Sequence, residues 1–226
     1  MRGLFIRWLL PAVLMAGDPA WRSKPVSQWD AQDAKAFLAD SPWVKRVVPQ
    51  RLRDLSPDER RNGGNMQAGI GNGVGLAGIG MFGARRRAIA LKHAYNKPAP
   101  GPVTIRWESA PVRAAEVKAG ETAPAIGDQY YAVVVYAIPL PKRWNLAHEL
   151  KTVAYLRRDR KKDLKPARVE IERLDGDLAT VVYLFRRSVE ITRRDRRVEF
   201  VAQLDRLFVA QPFDLGEMSI MGRMEL

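Results

Sequence analysis

The sequence predicts an α+β fold: a single domain with a mainly antiparallel sheet, two or three helices on one face, and a long Gly-rich mobile insertion. Three observations carry this. Segments of helical and strand period alternate through the first two thirds of the chain, and only strand-like runs bounded by turn residues follow. Asp175-Gly176-Asp177 contains the Asp-Gly step of a tight hairpin, which makes its flanking strands antiparallel neighbours. Composition changes abruptly over residues 50–101: nine of the 21 residues from Gly63 to Gly83 are glycine, and Pro98, Pro100 and Pro102 finish the stretch. Glycine at that density costs a helix about 1 kcal/mol per residue relative to alanine.

Ser27-Gln28-Trp29-Asp30 opens the first helix, with Ser27 as the capping residue and Asp30 reaching back. Over Ala31–Ala39, the side chains of Ala34, Phe37 and Leu38 fall on one face. Asp40-Ser41-Pro42 ends the helix, because a residue before proline is pushed out of the α region. Trp43–Val48 is short and rich in β-branched residues, hence a strand, and Pro49 closes it. The insertion follows, with one candidate short helix from Ala84 to Tyr95. Val103–Trp107 alternates as a strand and pairs with Trp43–Val48, which makes the insertion one enlarged hairpin loop. Ser109 caps a second helix, with Pro111 early and then Val112, Ala115 and Glu116. Tyr130–Ile138 is nearly continuous apolar sequence, the mark of a central strand buried on both faces. Asn145 caps a third helix through Leu146, Leu150, Val153, Ala154 and Leu156. Strand-like runs cover Ala167–Leu174, Leu178–Arg187, Val198–Leu204 and Leu207–Phe213, with Asp205-Arg206 as a second two-residue turn and Ile220–Leu226 as an edge strand.

The organisation therefore reads as a signal peptide over 1–20, a helix and first strand over 21–49, the basic insertion over 50–101, and the main α+β part over 102–226. Two arginines, Arg2 and Arg7, precede about ten apolar residues and then Ala16 and Gly17, the layout of a secretory signal. Cleavage is expected after Gly17 or Ala20, which places the protein in the periplasm or outside the cell. Roughly 155 residues then remain for one core, which is ample.

A hydrophobic share of 46% with 28% charged residues excludes a fully disordered chain and a coiled coil. Without cysteine, and with His93 and His148 as the two histidines, the chain has no disulfide, thiolate zinc site or cysteine nucleophile, and no cofactor is expected. Lys and Arg number 38 against 25 Asp and Glu, a net charge of +13. Residues 1–102 hold 16 basic and 7 acidic side chains, and residues 103–226 hold 22 and 18. The excess sits in the part that looks least folded, which suits an anionic envelope partner, a lipid headgroup or an acidic glycan. Arg85, Arg86, Arg87 and Lys92 are the candidate contacts, and no specific nucleic acid is expected.

Other candidates have a plainer reading. Gly73-Val74-Gly75-Leu76-Ala77-Gly78 matches a dinucleotide-binding pattern but lacks the preceding strand and the acidic residue about 20 positions on. Gly69–Phe82 is apolar as well as glycine-rich; with Arg85–Arg87 on headgroups it could dip into a membrane interface, and a flexible loop is the plainer reading. His148-Glu149 are helix neighbours about 100° apart, suited to no metal or triad geometry. Glu108, Glu170 and Glu172 are the strand-borne acids from which a glycosidase-like pair would come, and a solvated sheet face accounts for them. Arg157-Arg158 with Arg160-Lys161-Lys162 follow a helix C-terminus, and Arg193-Arg194 with Arg196-Arg197 bracket Asp195 in a turn. Acids interleaved with both clusters mark them as solvated loops. Trp29, Trp43 and Trp107 anchor the core, and Tyr183 and Phe185 share one strand face.

Four motifs remain: Trp29-Asp30-Ala31-x-Asp33-Ala34 with Ser41-Pro42-Trp43; Arg106-Trp107-Glu108-Ser109-Ala110; Val198-Glu199-Phe200; and Phe213-x-Leu215-x-x-Met218 to Gly222-x-Met224-Glu225-Leu226. Together they resemble a family of uncharacterised, predicted exported bacterial proteins. The resemblance implies export and a single domain, and it carries no activity and no catalytic residue. The leading expectation is an exported cell-envelope protein acting as a non-enzymatic binding or structural module. A carboxylate-based hydrolase and a basic nucleic-acid-binding protein are the alternatives.

Overall fold

A computed structural model describes residues 19–52, 101–142 and 146–226. The signal segment up to residue 18, nearly all of the insertion with Arg85, Arg86, Arg87 and Lys92, the glycine motif, the helix expected over 84–95, and Asn145 lie outside the described residues.

The fold is α+β, as the sequence predicts. A helical turn α1 (Ala20–Ser23) and helix α2 (Ala31–Ala39) precede strands β1 (Val44–Val47) and β2 (Gln50–Arg51). Then come β3 (Val103–Glu108), helix α3 (Ala110–Ala119), β4 (Tyr130–Pro139), helix α4 (Leu146–Thr152) and β5 (Ala154–Arg158). Strands β6 (Arg168–Arg173), β7 (Leu178–Arg186), β8 (Arg197–Leu204) and β9 (Leu207–Asp214) lead to a ribbon of β10 (Ser219–Ile220) and β11 (Arg223–Met224).

One expectation changes at the level of layers. Instead of a single sheet with helices on one face, the strands form a five-stranded sheet, β1-β3-β4-β7-β6, and a four-stranded sheet, β2-β9-β8-β5. Their strand pairs are all antiparallel. The main core contains inward residues of both sheets: Trp107, Val133 and Tyr183 from the first, Leu156, Phe200 and Phe213 from the second. Ring pairs bridge the layers, with Trp107 5.4 Å from Phe213 and Tyr183 5.1 Å from Phe200, both edge-on. Burying one face of each sheet against the other removes a broad apolar surface from water, and Phe37, Val112 and Leu150 of the helices join the same core.

The pairing of β1 with β3 is seen, Val44 opposite Arg106 through Val47 opposite Val103. The chain does not leave the fold at Pro49, however. Gln50 and Arg51 pair with Phe208 and Leu207, so the segment between β1 and β3 begins on the second sheet. The tight turns are present, with Gly176 at φ 71° before β7 and Asp205 at φ 56° between β8 and β9. Strand β4 is central and buried on both faces: Ala132, Val134, Val182 and Leu184 form a second, smaller cluster on the outer side of the five-stranded sheet.

Three local readings are corrected. The cap of α2 is Asp30, not Ser27: its carboxylate accepts from the Asp33 backbone N–H at 2.7 Å, while Val26–Gln28 form a separate 3-10 turn. The third helix stops at Thr152, and Ala154–Arg158 pair with β8 as an edge strand, because that strand offers a hydrogen-bonding partner along its whole length. Residues 219–224 pair with each other and do not extend a main sheet. Ser109 does occupy the N-cap of α3, but its hydroxyl makes no capping bond.

Trp43 ties the ends of the fold together. It is fully buried, packs edge-on against Trp21 at 5.9 Å, and its indole N–H donates to the Glu225 carbonyl at 2.7 Å. Replacing Asp30 with alanine is expected to remove the α2 cap and lower stability by about 1 kcal/mol. An unchanged urea midpoint in that variant would show that the capping bond contributes nothing.

Candidate functional site

Two groups of side chains stand out, one buried and one exposed. The buried group begins on β3, where Arg106 and Glu108 alternate with the core residues Ile105 and Trp107 and so face the outer side of the sheet. Helix α3 starts two residues after Glu108 and brings Glu116 back over that side, and Tyr136 comes from β4, opposite Thr104. The pairing of β4 with β7 shifts register between Val135 and Ile138, and Ala137 sits at φ 50°, so Tyr136 stands at a bulge.

The Tyr136 hydroxyl lies 2.9 Å from Glu108 Oε1 and 2.9 Å from Glu116 Oε1. A phenol has one proton to give, so a protonated carboxyl must supply the other contact. Glu108 fits that role. It is 1% exposed; burial first, and then the Glu116 charge, push its pKa up to about 8 against the pull of Tyr136 and Arg106. Burial also raises Glu116, but hydrogen bonds from Tyr136 and Arg106 oppose it. The proton placement that satisfies both contacts has Glu108, which burial favours in the neutral form, donating to Tyr136, and Tyr136 donating to Glu116. Arg106 Nη1 donates to Glu116 Oε1 at 2.9 Å and to Glu121 Oε2 at 2.7 Å, and its guanidinium carbon stands 4.6 Å from the centre of the Tyr136 ring. Burial and the two glutamates hold the Tyr136 phenol far above its ordinary pKa, so it keeps its proton.

Arg106 Nε, Glu108 Oε2, Ser109 Oγ and Glu116 Oε2 are buried without a hydrogen-bond partner among the described residues. Removing a partner so that one more buried polar atom here is left unpaired costs about 1–3 kcal/mol, so the members of the network depend on one another. The arrangement can share protons internally. With Glu108 and Glu116 at 1% and 0% exposure, it does not present either carboxyl to a substrate.

The solvated-face reading is therefore corrected for Glu108, which is sealed in. It describes Glu172, which is exposed, and largely Glu170, which is half-buried and pairs with Arg168. His148 and Glu149 are both exposed on α4. Among the described residues no cluster of His, Asp or Glu is placed to hold a metal ion.

The exposed group lies at one end of the four-stranded sheet, where the two basic clusters of the sequence meet. Arg157 and Arg158 do not follow a helix, as expected, but form the end of β5. Arg157 pairs with Glu199 at 2.9 Å, and Arg158 is buried and donates to the Lys162 carbonyl at 2.9 Å. Antiparallel pairing of β5 with β8 then brings the loop after Arg158 beside the 3-10 turn Arg193–Asp195. Lys161 Nζ reaches across to Asp195 Oδ1 at 2.6 Å.

That contact decides which cation Asp195 offsets. The sequence sets Asp195 against the four arginines around it, but its side chain is buried and accepts from the Thr192 backbone N–H at 2.9 Å. Burial pushes the Asp195 carboxyl up, yet Lys161, the Thr192 N–H and Arg158 outweigh it and hold the group below the ordinary carboxylate range. Asp195 is withdrawn, and Arg193, Arg194, Arg196 and Arg197 all face solvent beside Lys162 and Arg160, the last of which pairs with the exposed Asp159 at 3.9 Å. Sequence reasoning missed this convergence because a strand pairing, not proximity in the chain, makes it. The buried group did leave a signal: Glu116 falls with Val112 and Ala115 on the apolar face expected for α3.

No family model, curated protein or solved structure matches the chain. The functional reading therefore stands on the geometry and chemistry of the described residues.

Proposed function

We propose that this is an exported cell-envelope protein, of the kind its four motifs resemble, that works as a non-enzymatic binding or structural module for an anionic envelope component. The observation that supports this reading is the exposed cationic surface built from two loops, in which Asp195 is buried and the exposed Asp159 offsets Arg160 alone. Clustered like charge raises the local concentration of an anionic partner, and the attraction is screened over about 10 Å at 0.1 M salt. The insertion residues Arg85, Arg86, Arg87 and Lys92 add further positive charge to the same reading. The hydrolase alternative draws on the strand-borne acids Glu108, Glu170 and Glu172; Glu108 is buried against Tyr136 and Glu116, and that burial counts against it.

Cell fractionation with intact-mass measurement of the native protein tests the export half of the proposal. The expected result is a periplasmic or secreted chain beginning near Asp18 or Trp21. Cleavage at either point keeps Trp21, which packs in the core. A cytoplasmic protein that retains Met1–Ala16 overturns it.

A further inference from the structure

Besides charge, the cationic end carries backbone strain and an exposed apolar tip. Among the described residues, five that are not glycine have left-handed φ, and three of them are here: Arg160 at 54°, Arg196 at 54° and Met221 at 50°. Such conformations are sparsely populated by side-chain-bearing residues and concentrate where function requires them. Met221 and Gly222 form the two-residue tip of the β10–β11 ribbon, with Ile220 opposite Arg223. Both have positive φ, the pattern of a type I′ turn, in which asparagine, aspartate or glycine is the favoured first residue. Methionine gains nothing from this turn, yet it stands there with 63% of its surface exposed. Arg193 holds the tip against the basic turn by donating to the Gly222 carbonyl. Val189, 40% exposed, lies four residues before Arg193 in the loop that leads to it.

We infer that this end of the molecule docks on an anionic lipid bilayer, with Met221 entering the interface and the surrounding arginines on headgroup phosphates. The inference rests on the proposed anion-binding reading and names its partner. A soluble acidic polymer calls for the cations alone. A bilayer surface also takes up an unbranched apolar side chain at a tip rimmed by arginines. The tip needs no span: no helix among the described residues is long and apolar enough to cross a membrane.

The test is sedimentation of the full-length mature protein with phosphatidylcholine vesicles, with and without phosphatidylglycerol, beside binding to heparin. The wild type should bind the phosphatidylglycerol vesicles, bind pure phosphatidylcholine weakly, and lose affinity steeply with salt. Met221→Asn should unfold at a higher temperature, since asparagine suits the turn, yet bind vesicles about three- to tenfold more weakly. Its heparin binding should be unchanged. Arg194→Ser with Arg197→Ser should weaken vesicle binding by about tenfold or more. A more stable Met221→Asn protein with undiminished vesicle affinity overturns the inference. Heparin binding that depends on Arg194 and Arg197, without any preference for anionic vesicles, also overturns it while leaving the anion-binding reading in place. Binding to neither ligand overturns both.

Discussion

Arg106→Met is expected to lose about 3–5 kcal/mol of folding stability, the range seen when one partner of a buried ion pair is removed. Methionine keeps most of the volume of the arginine stem, so the loss comes from charge. Glu116 would remain fully buried with its countercharge gone, and Glu121, half exposed, would turn to water. Urea unfolding of the two proteins measures the difference. Arg106→Met combined with Glu116→Leu should recover much of the loss, because a buried ion pair replaced by apolar residues of similar size is often neutral. A single-variant loss of about 1 kcal/mol or less, the size of an exposed ion pair, would refute the network described above.

Stability should also fall as pH rises from about 4.5 to about 8. Glu108 has an ordinary pKa of 4.5 and a folded value of about 8. Between those values the folded chain holds a proton that the unfolded chain has released, so folding is progressively disfavoured as pH rises. The contribution of the neutral, buried Glu108 is complete below the unfolded value and is lost by the folded one. The slope approaches about 1.4 kcal/mol per pH unit for one proton, for a total of a few kcal/mol. The upward shift of Glu116 acts in the same direction. Asp195 is shifted down, so its contribution disappears only in acid, as pH falls below its ordinary 3.8, and does not obscure the effect. Glu108→Gln stays neutral and still offers Tyr136 a donor, so its unfolding free energy should fall less steeply across the window, with the smaller fall left to Glu116. An equal slope in wild type and variant would place the titration elsewhere.

The sequence by itself determined the elements that local chemistry dictates. The 3.6-residue period of Ala34, Phe37 and Leu38 specified α2, and alternation specified β3. Asp-Gly at 175–176 specified the β6–β7 hairpin, and the apolar run from Tyr130 specified a central strand. In each, the signal and its cause lie within a few residues of each other.

Only the tertiary structure decided the rest. Ala154–Arg158 carries residues at helical spacing, but β8 supplies a ladder of backbone partners and makes it a strand. Ser27 and Asp30 are both good capping residues, and the packing of Trp29 against Phe37 at 4.7 Å accompanies a start at Asp30. Glu108 has no nearby residue in the chain to mark it as buried. Its environment is assembled by a neighbouring strand and a returning helix, and burial, not residue type, sets its charge. Asp195 is the converse case: beside four arginines in sequence it cancels charge, and once turned inward onto Lys161 it leaves them exposed. Local propensity acts over one turn of chain, whereas desolvation and the pairing of distant strands exist only after the two sheets have closed on each other.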